Sequence, residues 1–346
     1  MDLWQVLYST YKTQRVSLPT SGDSNVAAFF MRTGLADHVP SHSEGRIASL
    51  ARIRILAAFG IVWFHTDNAA GRSLGYAGLP IFLMVSCSLI TAYSYSYGIR
   101  EFVTKRATRL LVPWVFWCAV YTVCKFVDSA MRGGVFLNEF KINVLATGSS
   151  IHLWYLPYAF IAAVLVYVLN SVTLKITSVL TVLVATCIGA GIIFGSGIIM
   201  SEFKLPTPLG QWVFALGSIP IGFAFGRGYY VKGSRQRKIL FIAITLATLS
   251  SCAGLHLLGF YGLVVPYSAA IILACVAHVW HGRLDGFSRL MDSMTYGIYL
   301  IHPLISRFIN ILFKLDRIPW TSIVLTFVLS SVIVYTIKKT ILARFV

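Results

Sequence analysis

Arg54 and His65 are the residues of this sequence best spaced to do chemistry. They bracket a nearly uncharged stretch, residues 55–64, so a guanidinium and an imidazole share one membrane-length helix. Polar side chains at that depth are costly, and they characteristically face a bundle interior where they have a job. Eleven positions at about 1.5 Å each separate the two by about 16 Å along the axis, and the turn of about 1100° leaves them only about 20° apart in direction. One helix therefore points a cation and a proton acceptor into one passage at two depths. Imidazole is the natural general base near neutral pH. Asp67 lies two positions on, about 200° around a continuous helix, and orients His65 only if the helix ends there; Asn68, at i+3, is better placed. The bland alternative is a histidine that merely sits at a membrane interface.

Other polar groups interrupt apolar runs elsewhere. Lys105, Arg106 and Arg109 form a basic cluster in which Arg106 and Arg109, at i and i+3, share a helix face. Phe102, Val103, Leu110 and Leu111 are expected to bury the opposite side in the interface, with Pro113 then redirecting the chain into the next span. Arginine forks match phosphate geometry, so one reading is a clamp for an anionic, nucleotide-bearing donor. The other is a topogenic cluster touching anionic lipid. His152-Leu-Trp154-Tyr155-Leu156 sets an imidazole beside two aromatics, which serve equally as an interfacial belt or as a stacking surface for sugar rings. Tyr299-Leu-Ile-His302-Pro303 places a histidine and a proline in mid-span, where Pro303 frees the carbonyl of Tyr299 from helix pairing. His302 reads as catalytic or as packing. Ser86, Ser88 and Thr91 make the second span unusually polar, yet no H-E-x-x-H, G-x-S-x-G or Walker loop occurs. The six cysteines, at 87, 118, 124, 187, 252 and 275, form no CxxC pair and read as small packing residues, with no metal site expected.

The elements that must position these groups follow from composition. Apolar residues are 57% of the chain and charged ones 12%, against about 25% charged in soluble domains, and the mean hydropathy is +0.76. The runs are about 17–25 residues long, enough to cross about 30 Å of hydrocarbon as helix. Strand-type alternation is absent, so the fold class is all-α and polytopic rather than a barrel. The formal charge of +17 does not point to nucleic acid, because the basic residues fall in short clusters between apolar runs. Residues 1–46 read as a polar cytoplasmic tail with an interfacial helix near Leu3 to Tyr11, and residues 1–30 carry no apolar core of a cleavable signal. Residues 47–346 read as one transmembrane domain of ten spans, roughly 47–66, 75–97, 110–127, 151–170, 176–199, 210–226, 238–257, 260–281, 293–313 and 319–337. The loops richer in Lys and Arg belong to one side, which the positive-inside rule makes cytoplasmic together with both termini. That orientation puts Arg54, Lys105, Arg106 and Arg109 toward the inner mouth and His65, Asp67, His152, Trp154 and Tyr155 at the outer one, with His302 near mid-span. No convincing internal repeat supports an inverted-repeat transporter.

Taken together these stretches resemble the acyltransferase type 3 family of integral membrane acyltransferases. The resemblance rests on Arg54 and His65, on the Gly78 to Ile90 segment with Ser86, on Lys105-Arg106-Ala-Thr-Arg109-Leu-Leu-Val-Pro113, on the His152 to Leu156 motif and on Ser293 to Pro303. It implies transfer of an acyl group, commonly acetyl, from cytoplasmic acyl-coenzyme A to a hydroxyl of an envelope or exported glycan, or of a lipid-linked saccharide. The family pattern makes His65 the catalytic histidine and Arg54 its companion, with Lys105, Arg106 and Arg109 contacting the coenzyme phosphates. His152, Trp154, Tyr155, Ser86 and His302 would support the acceptor and the site. The expected setting is a multi-pass protein of the bacterial inner membrane, in contact with lipid, with no tightly bound cofactor and acyl-coenzyme A as co-substrate. The chain departs from the pattern at Cys87, where glycine is usual, and at Ala51, where many members carry an acid three residues before the arginine. Arg52 is an extra cation expected to reach the inner surface. A polysaccharide or small-solute exporter is the alternative function, and a purely structural membrane partner a third.

Overall fold

The computed structural model describes residues 43–93, 98–133, 144–280, 282–283 and 285–346. Helix dominates them and no strand occurs among them. Hydrocarbon offers no partner to backbone N–H and C=O groups, and a helix satisfies them within one segment. The all-α, polytopic expectation therefore holds. The helices are α1 (Ser43–His65), α2 (Gly78–Tyr93), α3 (Ile99–Met131), α4 (Tyr155–Val172) and α5 (Ser178–Glu202). They continue with α6 (Leu209–Leu216), α7 (Ser218–Gly228), α8 (Ser234–Leu257), α9 (Val264–Val279), α10 (Gly286–Phe313) and α11 (Pro319–Ile337). The tail through residue 42, with the helix expected near Leu3 to Tyr11, lies outside the described residues, and α1 takes in positions 43–46.

Each expected span coincides with a helix, the sixth being α6 and α7 in series. Among the described residues nine segments are long and apolar enough to cross a bilayer. The eighth span, α9, has only 16 residues, about 24 Å of helix against about 30 Å of hydrocarbon. Helix direction shows that it nonetheless crosses. Arg52 pairs with Asp285 (3.2 Å) and Arg54 with Asp292, and His65 meets the ring of His302 at 5.1 Å. The residue numbers rise together, so α1 and α10 run the same way. Parallel first and ninth spans require an odd number of crossings between them, which is seven with α9 and six without. A second pair agrees. At one end Tyr267 of α9 hydrogen-bonds the Phe214 carbonyl (2.5 Å), and Tyr76, just before α2, stacks on Phe214 (4.3 Å). At the other end His278 of α9 meets Ser88 of α2 (2.9 Å).

α2 is the most enclosed span, with eleven of its residues buried. α7 presses on it through Gly222 and Gly226, one turn apart. A Cβ at Gly222 would lie 2.6 Å from the Met84 carbonyl oxygen, and one at Gly226 would lie 2.7 Å from that of Ser88. Small residues of this kind let helix backbones approach where no hydrophobic drive toward water exists. Leu56, Ile161, Leu183, Ile242, Leu246 and Val332 remain exposed on the outside of the bundle, where acyl chains would cover them.

The expectation that Pro113 redirects the chain is corrected. α3 continues through it for 33 residues, about 50 Å. A proline removes the bond to the carbonyl four residues back and is tolerated in a membrane helix when a neighbour satisfies that carbonyl. The freed group is the Arg109 carbonyl, and the Tyr296 hydroxyl of α10 donates to it at 3.4 Å. Phe102 is also corrected: it lies one turn before Arg106 on the same face, with the guanidinium 5.4 Å from its ring centroid, not on the opposite side.

Candidate active site

His65 is the last residue of α1. The helix end is tied down by Arg72, whose Nε donates to the Phe64 carbonyl (2.9 Å), and by Trp63, whose indole N–H donates to the Ala70 carbonyl (2.9 Å). A cation at this end also suits the negative pole of the helix. Because α1 stops at His65, Asp67 lies beyond it, exposed and paired with Arg72 at 3.4 Å. Asn68 is exposed with a left-handed φ of 57°, so the expected i+3 relation to His65 is lost with the helix.

His302 faces His65 from α10 and is fully buried. Pro303 explains its orientation. The Tyr299 carbonyl released by the proline lies 2.8 Å from His302 Nδ1, with the Ile298 carbonyl at 3.2 Å. A carbonyl only accepts, so Nδ1 carries the proton and Nε2 presents its lone pair. Nε2 is buried and has no hydrogen-bond partner among the described residues. A helix break that reads in sequence as a kink thus fixes an imidazole tautomer.

His152 completes a group of three rings. It sits in the 3₁₀ turn Ile151–Trp154 before α4, its ring 5.7 Å from that of His302. Ser150 Oγ contacts its Nδ1 at 3.0 Å and the Leu300 carbonyl its Nε2 at 3.4 Å. The Tyr299 hydroxyl donates to the His152 carbonyl, and the Tyr121 ring packs edge-on at 5.0 Å while its hydroxyl donates to the Leu300 carbonyl (2.8 Å). α1, α3, α10 and the turn before α4 therefore converge on one polar cluster in an apolar bundle.

The remaining candidates separate. Trp154 is buried and packs on Tyr155 (5.9 Å) and Tyr158 (5.6 Å), so it is no lipid-facing belt residue. Tyr155 touches Tyr299 at 5.5 Å and joins the cluster through it. Ser86 is half-buried on α2. Near the start of α3 the three basic residues diverge. Lys105 is exposed and pairs with Glu101 (2.7 Å), Arg106 lies half-buried over Phe102, and Arg109 sits beside Tyr296. Arg54 points into the bundle, where Asp292 of α10 pairs with it; the carboxylate side chain is 2% exposed and the guanidinium 14%. Among the described residues no three His, Cys, Asp or Glu side chains are arranged to hold a metal ion.

Asp292, Tyr299 and Tyr121 were not anticipated as site residues. One signal for the first two was available: Asp292 is the one acid of α10, and Tyr299 lies seven residues on, close to the same face.

The cluster and the Arg54–Asp292 pair form two rungs between the parallel helices α1 and α10, ten to eleven residues apart on each, or about 15–16 Å. A buried neutral imidazole with a free lone pair accepts a proton, and a buried guanidinium donates hydrogen bonds to a carbonyl or anion. No curated protein and no solved structure matches the chain. The family model described as an acyltransferase domain matches residues 47–339, most of the chain. The chain belongs to the acyltransferase type 3 family and is a multi-pass membrane acyltransferase.

Proposed function

We propose that this protein transfers an acyl group, most simply acetyl, from cytoplasmic acyl-coenzyme A to a hydroxyl of a cell-envelope or exported glycan. The observation that supports this reading best is the meeting of His65 with His302 and His152 at the end of α1, one helix length from the basic start of α3. In the reading, the α3 end faces the cytoplasm of a bacterial inner membrane, with both termini on that side. Arg106 and Arg109 hold the coenzyme phosphates, and the exposed Lys105 adds to the attracting field. The acceptor enters from the opposite face past His152, Trp154 and Tyr155, with Ser86 and His302 supporting.

His65 takes the proton of the acceptor hydroxyl as the oxygen attacks the thioester carbonyl. The new C–O ester bond forms, the C–S bond breaks, and the departing thiolate takes the proton from the imidazolium, so the histidine returns neutral. Lining up both substrates in one passage supplies part of the rate. The coenzyme is a co-substrate, and no tightly bound cofactor enters this scheme.

The test replaces His65 by Ala in cells and measures glycan acyl content and glycan export separately. Loss of acylation with export unchanged is expected. Loss of export of an unmodified polymer overturns the enzyme reading in favour of a transporter.

A further inference from the structure

We infer that the segment after α11, residues 338–346, is a docking surface for the anionic headgroups of membrane lipid, and that its docking holds one side of the imidazole cluster in place. The chain turns at Lys338, whose ammonium donates to the Ser293 carbonyl (2.7 Å), and then forms the 3₁₀ turn Ile341–Phe345. The turn packs back onto the bundle. Phe345 stacks on Phe116 of α3 at 4.1 Å, and its carbonyl accepts the Trp117 indole N–H at 2.8 Å. On the other side, a Cβ at Gly297 of α10 would lie 3.1 Å from that of Val346. The segment thus fills a seam between α3 and α10.

Its outward face names the ligand. Lys339 and Arg344 are exposed, and neither has a carboxylate partner among the described residues. Each lies on an aromatic ring instead, Lys339 over Tyr335 at 4.1 Å and Arg344 over Phe345 at 4.7 Å. Between them Ile341 is 91% exposed and Leu342 40%. No acid occurs in residues 338–346. Two cations flanking bare apolar side chains, just past the end of a span, match a charged headgroup above acyl chains. A soluble phosphate would answer the cations and leave Ile341 in water, so lipid is the better occupant.

Trp117 carries the docking inward. Its ring packs on Tyr121, one turn on, at 6.1 Å. Tyr121 meets His152 edge-on at 5.0 Å and donates to the Leu300 carbonyl. Withdrawing the Phe345 carbonyl therefore releases the first ring of a row that ends at an imidazole.

The test places the full chain in nanodiscs of phosphatidylcholine, alone or mixed with phosphatidylglycerol, and follows hydrogen exchange of the amides of residues 341–346. Exchange is expected to be about tenfold or more slower in the anionic discs, and the difference to shrink as salt is added. Lys339→Gln with Arg344→Gln, both at exposed positions, should abolish the difference. Arg235→Gln with Lys238→Gln, exposed cations at the start of α8, should keep it. Equal exchange in the two discs, a difference that survives in the first variant, or one that disappears in the second overturns the docking surface. So does equal slowing by inorganic phosphate in neutral discs. A 3-fluorotyrosine at position 121 reads the inward link. Its fluorine resonance should differ between the two discs in the wild type and coincide in Trp117→Phe, which keeps a ring and loses the indole N–H. A wild-type resonance indifferent to the lipid, or a difference that persists in Trp117→Phe, removes the link to the cluster.

Discussion

His65 and His302 invite different single-residue tests. Removing the base by His65→Ala should lower transfer by about 10²–10⁴-fold, the usual contribution of a positioned proton acceptor, with the purified protein still monodisperse. His302→Asn separates two roles of one ring. The amide can still donate to the Tyr299 carbonyl, as Nδ1 does at 2.8 Å, but it offers no basic nitrogen in place of Nε2. Normal folding with transfer reduced about tenfold or more marks Nε2 as functional; unchanged transfer marks the residue as a prop for the proline break.

At the scale of elements, the close approach of α7 to α2 makes a prediction whose sign is informative. Glycine to alanine in a helix interior usually stabilises, by up to about 1 kcal/mol. At Gly222 the added Cβ would stand 2.6 Å from a backbone oxygen. Gly222→Ala should therefore destabilise, by about 1–3 kcal/mol on the scale of overpacked cores, measured by unfolding in detergent. The start of α10 makes a second one. Asp285 caps the helix by accepting from the Ser288 amide (2.7 Å) and hydroxyl (2.8 Å), with Arg52 adding a charge partner, and these hold its carboxyl down at about 2. Because the folded value is depressed, the stabilisation is present above the ordinary carboxylate range, near 4, and is lost as pH falls toward 2. Wild type should thus melt above Asp285→Asn at pH 5, and the gap should narrow between pH 4 and pH 2. A gap independent of pH would mean the carboxylate charge contributes nothing.

For the whole molecule, the short α9 decides the topology. If it crosses, protease sites inserted at Gly259 and after Arg283 are cut from opposite faces of sealed vesicles. Cutting from the same face would contradict the parallel pairing of α1 with α10 and of α2 with α9. The same pairings govern the sidedness of the site. The Arg52–Asp285 and Arg54–Asp292 pairs lie toward the end where α1 begins, and the three imidazoles belong to the end where it stops.

Much of this architecture is local physics and was open to sequence. Hydropathy over about twenty residues reports a span, and 3.6 residues per turn reports that Arg54 and His65 look the same way. The release of the Tyr299 carbonyl by Pro303 is equally local. What sequence could not supply is which distant group answers each of these. Arg54 and Asp292 are 238 positions apart, and the charge that aims the guanidinium arrives on a different helix. His302 read as catalytic or as packing, and only the parallel, in-register run of α10 beside α1 shows that its ring faces His65. Lys105, Arg106 and Arg109 looked like one cluster, yet their helix sends Lys105 outward to Glu101 and Arg106 inward over Phe102. Periodicity states the direction of a side chain relative to its own axis. Only the packing of helices states what stands in that direction.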